Sequence, residues 1–300
     1  MRALFVLTPA ESKCLIAKAV ANMQEIKQAL QHDKILIGHG STNVYVAQEI
    51  LGKEKFAEII APDLYVSGLL TRGTLCTTAG EEKGAVVVLN QGKLEPPAPT
   101  MGEMLREFGP DGVFIKGANA VDPEGNAAVL VAHPEGGTIG WSIGHILARG
   151  IHLVVPVGLE KLVPSIKQAV SMCGQLRLDY FQGLRVGMIP LSGATVVTEI
   201  VALRILAGVE SVLVAAGGSS GSEGSVTLVA DGESGPVKKA IELMESIKGT
   251  PPLAPRKGLC ADCLPRSPAQ PKGYQIKGGL THCPYQGKAE ADLPSYLKKR

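Results

Sequence analysis

The segment that decides the fold is KILIGHGSTNVYVAQEIL, residues 34–51. It opens with a short apolar run, continues through Gly38 and Gly40, and then spaces its apolar residues at the helical period. This order predicts a strand, a glycine-rich turn and a helix. Glycines let the backbone approach an anion, and the hydroxyls of Ser41 and Thr42 and the free N–H groups at the helix start can bind it. The alternative is that the Ser-Thr pair only caps the helix.

Strands and helices are predicted to alternate on both sides of this segment. A capping box from Thr8 to Glu11 starts a predicted helix over 9–31. Further strands are expected at 85–89, 112–115, 127–132 and 151–157, and helices at 101–108 and from Gly136-Gly137-Thr138 to Arg149. Almost wholly apolar runs such as 151–157 are typical of a parallel sheet buried on both faces. We therefore expect an α/β fold with a Rossmann-like, mainly parallel sheet and helices on both of its faces.

Residues 184–248 form a second predicted unit. Its order is strand 184–189, helix 194–207, strands 211–216 and 225–230, and helix 236–248. Pro251 and Pro252 end it, since two prolines cannot continue a helix. The expected organisation is a main domain at 1–182, a small α+β lid domain at 183–249 and a Pro-rich basic tail at 250–300.

Composition excludes several classes of protein. The chain has 300 residues, 45% of them hydrophobic and 19% charged, so it can bury a sizeable core and is not disordered. Its apolar runs are far shorter than the ~18 residues of a membrane span, and a cytoplasmic protein without a membrane partner is expected. The net charge is +2. The basic tail is interleaved with Pro and Gly rather than aromatic residues, which favours a solvated tail over nucleic-acid binding.

Four segments carry a resemblance to a known superfamily: ILIGHGST at 35–42, DGVFIKGANAVDPEGN at 111–126, EGGT at 135–138 and VPVGLEK at 155–161. In this order they resemble the superfamily of A-type ribose-5-phosphate isomerase, family I CoA transferases, glucosamine-6-phosphate deaminase and the effector domains of DeoR-type repressors. The resemblance implies a homo-oligomer. It also implies ligand-binding residues in these loops, namely Gly38, Gly40, Ser41, Thr42, Asn119, Gly136, Gly137, Thr138 and Lys161.

The catalytic carboxylates of the isomerases are not retained in this chain. Where that family places a glutamate in the helix after its glycine loop, residues 139–145 contain no carboxylate, and its two acidic positions in the second segment fall on Lys116 and Asn119. The titratable groups that remain in the matching loops are Lys116, His145 and Asp122. These three are the candidate catalytic residues.

The sequence therefore predicts a protein that binds a phosphorylated small molecule, either a sugar phosphate or a nucleotide-like compound. It would be an isomerase-like enzyme with altered chemistry. One alternative is a CoA-thioester transferase or hydrolase, for which Glu135 is the candidate nucleophile. Another alternative is a non-catalytic ligand sensor or scaffold.

The tail contains a candidate metal site. Cys260 and Cys263 form a C-x2-C pair, and His282 and Cys283 follow 19 and 20 residues later. Such a pair brings two thiolates to one ion, and zinc prefers four thiolate or imidazole ligands. Zinc bound by the three cysteines together with His282, or with a residue elsewhere in the chain, is the prediction. An iron–sulfur cluster and ordinary thiols stay open as alternatives.

Overall fold

The computed structural model describes residues 1–66, 74–77, 84–256, 260–261 and 283–298, and the backbone of residues 69–71. The strands are β1 Arg2–Leu7, β2 Lys34–Ile37, β3 Leu69–Thr71, β4 Leu75–Thr77, β5 Val87–Asn90, β6 Lys93–Glu95, β7 Val113–Ile115, β8 Ala120–Val121, β9 Ala127–Val131, β10 His152–Pro156, β11 Gly187–Pro190, β12 Thr195–Val197, β13 Glu210–Gly217 and β14 Ser225–Asp231. The helices are α1 Pro9–Asn22, α2 Gln24–His32, α3 Ser41–Leu51, α4 Lys53–Ile59, α5 Pro62–Tyr65, α6 Met101–Arg106, α7 Gly137–Arg149, α8 Ile166–Met172, α9 Glu199–Ala207 and α10 Ser234–Ile247.

The central sheet has six strands in the order β12-β10-β7-β2-β5-β6. The first four are parallel to one another, and β5 and β6 are antiparallel to their neighbours. All three residues of β7 are buried, as expected for a strand covered on both faces. The predicted α/β class is confirmed. The six-stranded sheet is mixed, and the Rossmann-like, mainly parallel sheet is not confirmed.

The long helix predicted over 9–31 is wrong in one respect, because it is two helices. Met23 is extended, with φ −63° and ψ 148°, and separates α1 from α2. The apolar spacing continues across the break because both helices bury one face, α2 through Ile26 and Ala29. The capping box at Thr8 and Glu11 is confirmed.

Residues 183–249 contribute strands to three sheets. β11 pairs with β9, β12 joins β10 in the central sheet, and β13 and β14 form a third sheet with the N-terminal strand β1. The helix predicted over 194–207 is corrected: Thr195–Val197 is a strand, and the helix begins at Glu199 behind the N-cap Thr198. The β-branched residues of β12 complete the edge of the parallel sheet, and α9 packs against α1.

The lengths and polarity of the helices in the described residues bear on membrane insertion. None of them is both long enough and apolar enough to cross a membrane. The longest, α1 and α10, have 14 residues each.

Candidate functional site

The candidate site lies along the carboxyl ends of the four parallel strands. These ends lead into residues 38–42 after β2, 116–119 after β7, 158–161 after β10 and 198–199 after β12. In open α/β sheets, ligands bind outside the carboxyl ends of the strands. Three of the four segments contain residues that the sequence analysis had selected.

The turn after β2 is tied to the end of β7. The Gly38 N–H donates to the Ile115 carbonyl at 2.9 Å. Asn43, which is completely buried, donates from Nδ2 to the Gly38 carbonyl at 2.7 Å. Its Oδ1 has no hydrogen-bond donor within the described parts of the chain. α3 begins at Ser41 behind Gly40, with no side chain capping its first N–H groups. The predicted strand, glycine turn and helix are therefore confirmed, and the helix start lies at the sheet edge.

His39 and Tyr65 hold the other side of this turn. The two rings are 4.8 Å apart, and His39 Nε2 lies 2.7 Å from the Gly84 carbonyl oxygen. The Tyr65 hydroxyl donates to the Ile37 carbonyl at 2.5 Å, and burial raises the pKa of this hydroxyl. The end of β2 is therefore fixed on both sides.

Two predicted residues lie in the segment after β7. The Lys116 side chain passes beside Gly38, where an added Cβ would lie 3.4 Å from Lys116 Cδ. Asn119 has a different role, because its Oδ1 accepts from the Leu130 N–H at 3.0 Å and fixes the segment to β9. Lys116 is therefore close to the glycine turn, and Asn119 positions the loop that carries it.

A cluster of charged residues adjoins the same edge, and sequence reasoning found only one of its members, Lys161. Lys161 Nζ donates to the Ala118 carbonyl at 3.1 Å and lies 3.9 Å from Glu160 Oε1. Lys13 Nζ of α1 is also 3.9 Å from Glu160 Oε1. Glu199, at the first position of α9, is completely buried and accepts from the Leu159 N–H at 2.9 Å. Lys13, Glu160 and Glu199 are therefore additions to the predicted set.

The electrostatics of this cluster depend on burial. Desolvation and the nearby Glu160 carboxylate raise the pKa of Glu199 to about 7. Desolvation also lowers the pKa of the Lys13 ammonium, against the opposing attraction of Glu160. Both Glu160 carboxylate oxygens are buried and lack a hydrogen-bond partner in the described chain, so this carboxylate is held by ion pairs alone. A carboxyl group that titrates near neutral pH is a candidate for proton exchange.

A weak signal in the sequence could have pointed to this cluster. Glu160 and Lys161 are adjacent in the quoted VGLEK stretch, and both follow a predicted strand. Glu199 follows Thr198, a common N-cap residue, but the strand before it was assigned to a helix. Lys13 belongs to a distant helix, and no local pattern connects it to the other three.

The second glycine-rich turn follows a strand of another sheet. Gly136 caps α7 with φ 80°, and it follows β9, which belongs to the three-stranded sheet β11-β9-β8. The Trp141 indole N–H donates to Glu135 at 3.1 Å and the ring packs edge-on against His133. None of the hydrogen bonds and ion pairs found in the described residues joins Gly136, Gly137 or Thr138 to residues 38–42.

The other two candidate catalytic residues are not at the sheet edge. Asp122 accepts hydrogen bonds from the backbone N–H groups of Glu124, Asn126 and Ile166, and so closes a turn and starts α8. Burial acts to raise the pKa of Asp122, but these hydrogen bonds outweigh it and the net shift is downward. His145 lies against α6, where an added Cβ on Gly102 would be 3.3 Å from His145 Nε2. The structure therefore brings Lys116, but neither of these two, to the glycine turn.

The predicted metal ligands are only partly described. Cys263 and His282 lie outside the described residues. The Cys260 carbonyl accepts from the Gly287 N–H at 2.7 Å, which brings Cys260 next to the turn that begins at Cys283. Within the described ranges, no three His, Cys, Asp or Glu side chains are grouped so that they could hold a metal ion.

A separate cavity of about 460 Å³ lies between α4, α5 and the β5–β6 hairpin. Its walls are mostly apolar and include Ile59, Leu64, Val86, Val88 and Leu94. Such a lining does not suit a phosphate group, which needs hydrogen-bond donors or cations.

None of the known protein families, curated proteins or solved structures compared with this chain matches it. The geometry therefore carries the functional argument.

Proposed function

We propose that the protein binds a phosphorylated small molecule, a sugar phosphate or a nucleotide-like compound, at the carboxyl edge of its parallel strands. The observation that carries the proposal is the start of α3. There, no side chain caps the N–H groups of Ser41 and Thr42, which follow Gly40. The neighbouring Asn43 is buried, and its Oδ1 has no hydrogen-bond donor among the described residues. Free N–H groups at a helix start, together with the helix dipole, favour an anion.

Cationic side chains on the segments after β7 and β10 support the proposal. Lys116 lies against Gly38, and Lys161 reaches the segment after β7 through Ala118. An ammonium group binds phosphate as a point charge, and the half-buried position of Lys161 strengthens the attraction relative to open solvent. Phosphate binding by Ser41 and Lys161 is also what the resemblance to the isomerase and CoA-transferase superfamily implies.

We propose that the reaction on the bound molecule is isomerase-like but uses catalytic residues other than those of the isomerases. The isomerase acids are replaced in this chain by Lys116 and Asn119, and Asn119 is engaged with the Leu130 backbone. Lys116 is therefore the group of the glycine-turn region that we propose to act on the substrate. Glu135, the nucleophile of the alternative CoA-transferase function, is exposed and hydrogen-bonded to Trp141, which favours that alternative less.

A ligand screen with a matched pair of variants tests the proposal. Thermal unfolding is measured with sugar phosphates, nucleotides and CoA thioesters, since a ligand at 100 times its Kd adds about 2.7 kcal/mol of stability. Lys161→Ala should weaken binding of the hit about thirtyfold, because a hydrogen bond to a charged group contributes about 2 kcal/mol. Lys167→Ala, an exposed lysine of α8, is the control and should bind normally. Equal binding by both variants, or no phosphorylated hit, would reject the proposal.

We further propose that Cys260, Cys263, His282 and Cys283 bind zinc. The support is the hydrogen bond from Gly287 to Cys260, which brings the two ends of the cysteine segment together. Elemental analysis of the purified protein should find about one zinc per chain, and Cys260→Ser should lower the zinc content. Cys14→Ser, a cysteine on α1, is the matched control. Equal zinc content in the two variants would count against this site.

A further inference from the structure

We propose that Glu199, which is buried behind Glu160 and Lys161, takes up one proton when an anion binds at Lys161. This inference rests on the proposed function, because it concerns the same edge of the sheet. It assigns Glu160, Glu199 and Lys13 as positioning residues, which act on the ligand through Lys161. The ligand class is an oxyanion with two negative charges, such as a phosphate monoester.

The geometry places the two carboxylates against one residue. Gly158 carries no side chain, and a Cβ added to it would overlap Glu160 Oε2 and lie 3.1 Å from Glu199 Oε1. Burial penalises the charged form of Glu199, and the nearby Glu160 carboxylate repels it. A proton on Glu199 relieves both costs.

The charge of the cluster changes with this proton. Lys13 and Lys161 contribute two positive charges, and the two ionised carboxylates would cancel them. When Glu199 is protonated, one positive charge is left over, and the site is prepared for an anion. Binding of a dianion and binding of a proton therefore favour each other, and this coupling is reciprocal.

Groups from two segments of the chain face the Glu199 carboxyl group. From α1 it is faced by the Ser12 hydroxyl and Lys13, and from the 158–161 segment by the Leu159 N–H and Glu160. Its pKa of about 7 leaves it partly protonated at neutral pH. The other elements packed on α9 are β12, β13 and α10. β12 has no charged residue, Glu210 of β13 pairs with Arg204, and the charged residues of α10 are exposed to solvent, namely Lys238, Lys239, Glu242 and Glu245.

The proton balance is simple. The proton comes from the buffer and ends on the Glu199 carboxylate, and no covalent bond of the ligand is made or broken. Lys161 contacts the anion. If the pKa of Glu199 rises by one unit in the complex, affinity should fall about sevenfold between pH 6 and pH 8.5.

Inorganic sulfate is the probe, because its charge is constant over this pH range. Its Kd is measured by calorimetry on the full chain between pH 6 and pH 8.5, in two buffers with different ionisation enthalpies, which gives the number of protons taken up. The wild type should take up a fraction of one proton near pH 7 and lose affinity as the pH rises. Glu199→Gln, a neutral isostere that keeps an oxygen for the Leu159 N–H, should show no proton uptake and a flat pH profile.

A second variant and a control keep the test independent of folding. Glu160→Gln removes the repulsion that raises the pKa of Glu199, so its pH profile should shift to lower pH. Glu210→Gln, an exposed glutamate, is the control and should keep the profile of the wild type. Sulfate binding without proton uptake, or a Glu199→Gln profile equal to that of the wild type, would overturn the inference and leave the proposed function in place. No sulfate binding at any pH would overturn both.

Discussion

The two glycine-rich turns of this chain have similar sequences and different environments. Residues 38–42 and residues 136–138 each place glycines and a hydroxyl residue at the start of a helix. The first turn ends a parallel strand of the six-stranded sheet, beside Asn43 and Lys116. The second follows a strand of another sheet and lies beside His133 and Trp141.

A glycine-rich motif therefore does not by itself define an anion site. Gly136 is needed for packing, since an added Cβ would lie 2.8 Å from Ile189 Cδ1 and 2.9 Å from Gly140 Cα. Gly40 has open space, with the nearest atoms of Asn43 about 3.9 Å away. Gly40 therefore borders open space in which a ligand fits, whereas the space beside Gly136 is filled by Ile189 and Gly140.

The largest effect is expected on the pH dependence of folding stability, which should depend on Glu199 near the first turn and not on Glu135 near the second. The pKa of Glu199 is raised from 4.5 to about 7 in the folded chain, so the folded state holds the proton more tightly than the unfolded state. The stability that this proton contributes is present at low pH and is lost as the pH rises from about 4.5 to 7, by about 3 kcal/mol in total. Glu199→Gln should remove this loss.

The measurement is the free energy of unfolding of wild type and variant by denaturant titration between pH 4.5 and pH 8. Relative to the wild type, Glu199→Gln should gain stability as the pH rises, because other groups cancel in the difference. Glu135→Gln, at the second turn, is the control, since Glu135 is exposed and hydrogen-bonded only at the surface. A constant difference for Glu199→Gln would show that Glu199 does not titrate as a buried group.

The next effect concerns backbone packing within the second turn. Gly136 and Gly137 both have positive φ, 80° and 56°, but only Gly136 is crowded. Gly136→Ala should lower the free energy of unfolding by about 2 kcal/mol, through strain and overlap together. Gly137→Ala adds a Cβ at an ordinary 3.6 Å from His133 Cβ, so it should cost about 1 kcal/mol from the backbone alone. Equal costs would mean that the crowding at Gly136 is relieved by movement of Ile189.

The first turn could be predicted from the sequence because its signals are contiguous. Residues 34–51 contain the strand, the glycines and the helix pattern side by side, and the structure confirms all three. The position of the second turn could not be predicted in this way. Its position depends on β9 pairing with β11 rather than joining the central sheet, and such pairing is set by residues far apart in the chain.

The charged cluster was missed for a related reason. Lys13, Glu160 and Glu199 come from three distant parts of the chain and meet only because α1 packs on α9 beside β10 and β12. Each residue alone fits an ordinary surface position in a helix or turn, and the sequence pattern predicts a helix where the short strand before Glu199 lies. Burial decides their chemistry, and burial is a property of the assembled fold.

The smallest expected effect compares the hydroxyl residues of the two turns in ligand binding. If the anion is bound at the start of α3, Ser41→Ala removes one hydrogen bond and should weaken the affinity for the ligand about fivefold, or about 1 kcal/mol. Thr138→Ala makes a similar deletion at the start of α7, which is not linked to residues 38–42, and should leave the Kd unchanged. Calorimetric titration of both variants with the phosphorylated hit measures the two effects on one scale. An equal loss in both would mean that the two turns come together around one ligand, as the resemblance to the isomerases implies. A loss in Ser41→Ala alone would restrict the anion site to the carboxyl edge of the central sheet, where Lys161, Glu160 and Glu199 lie.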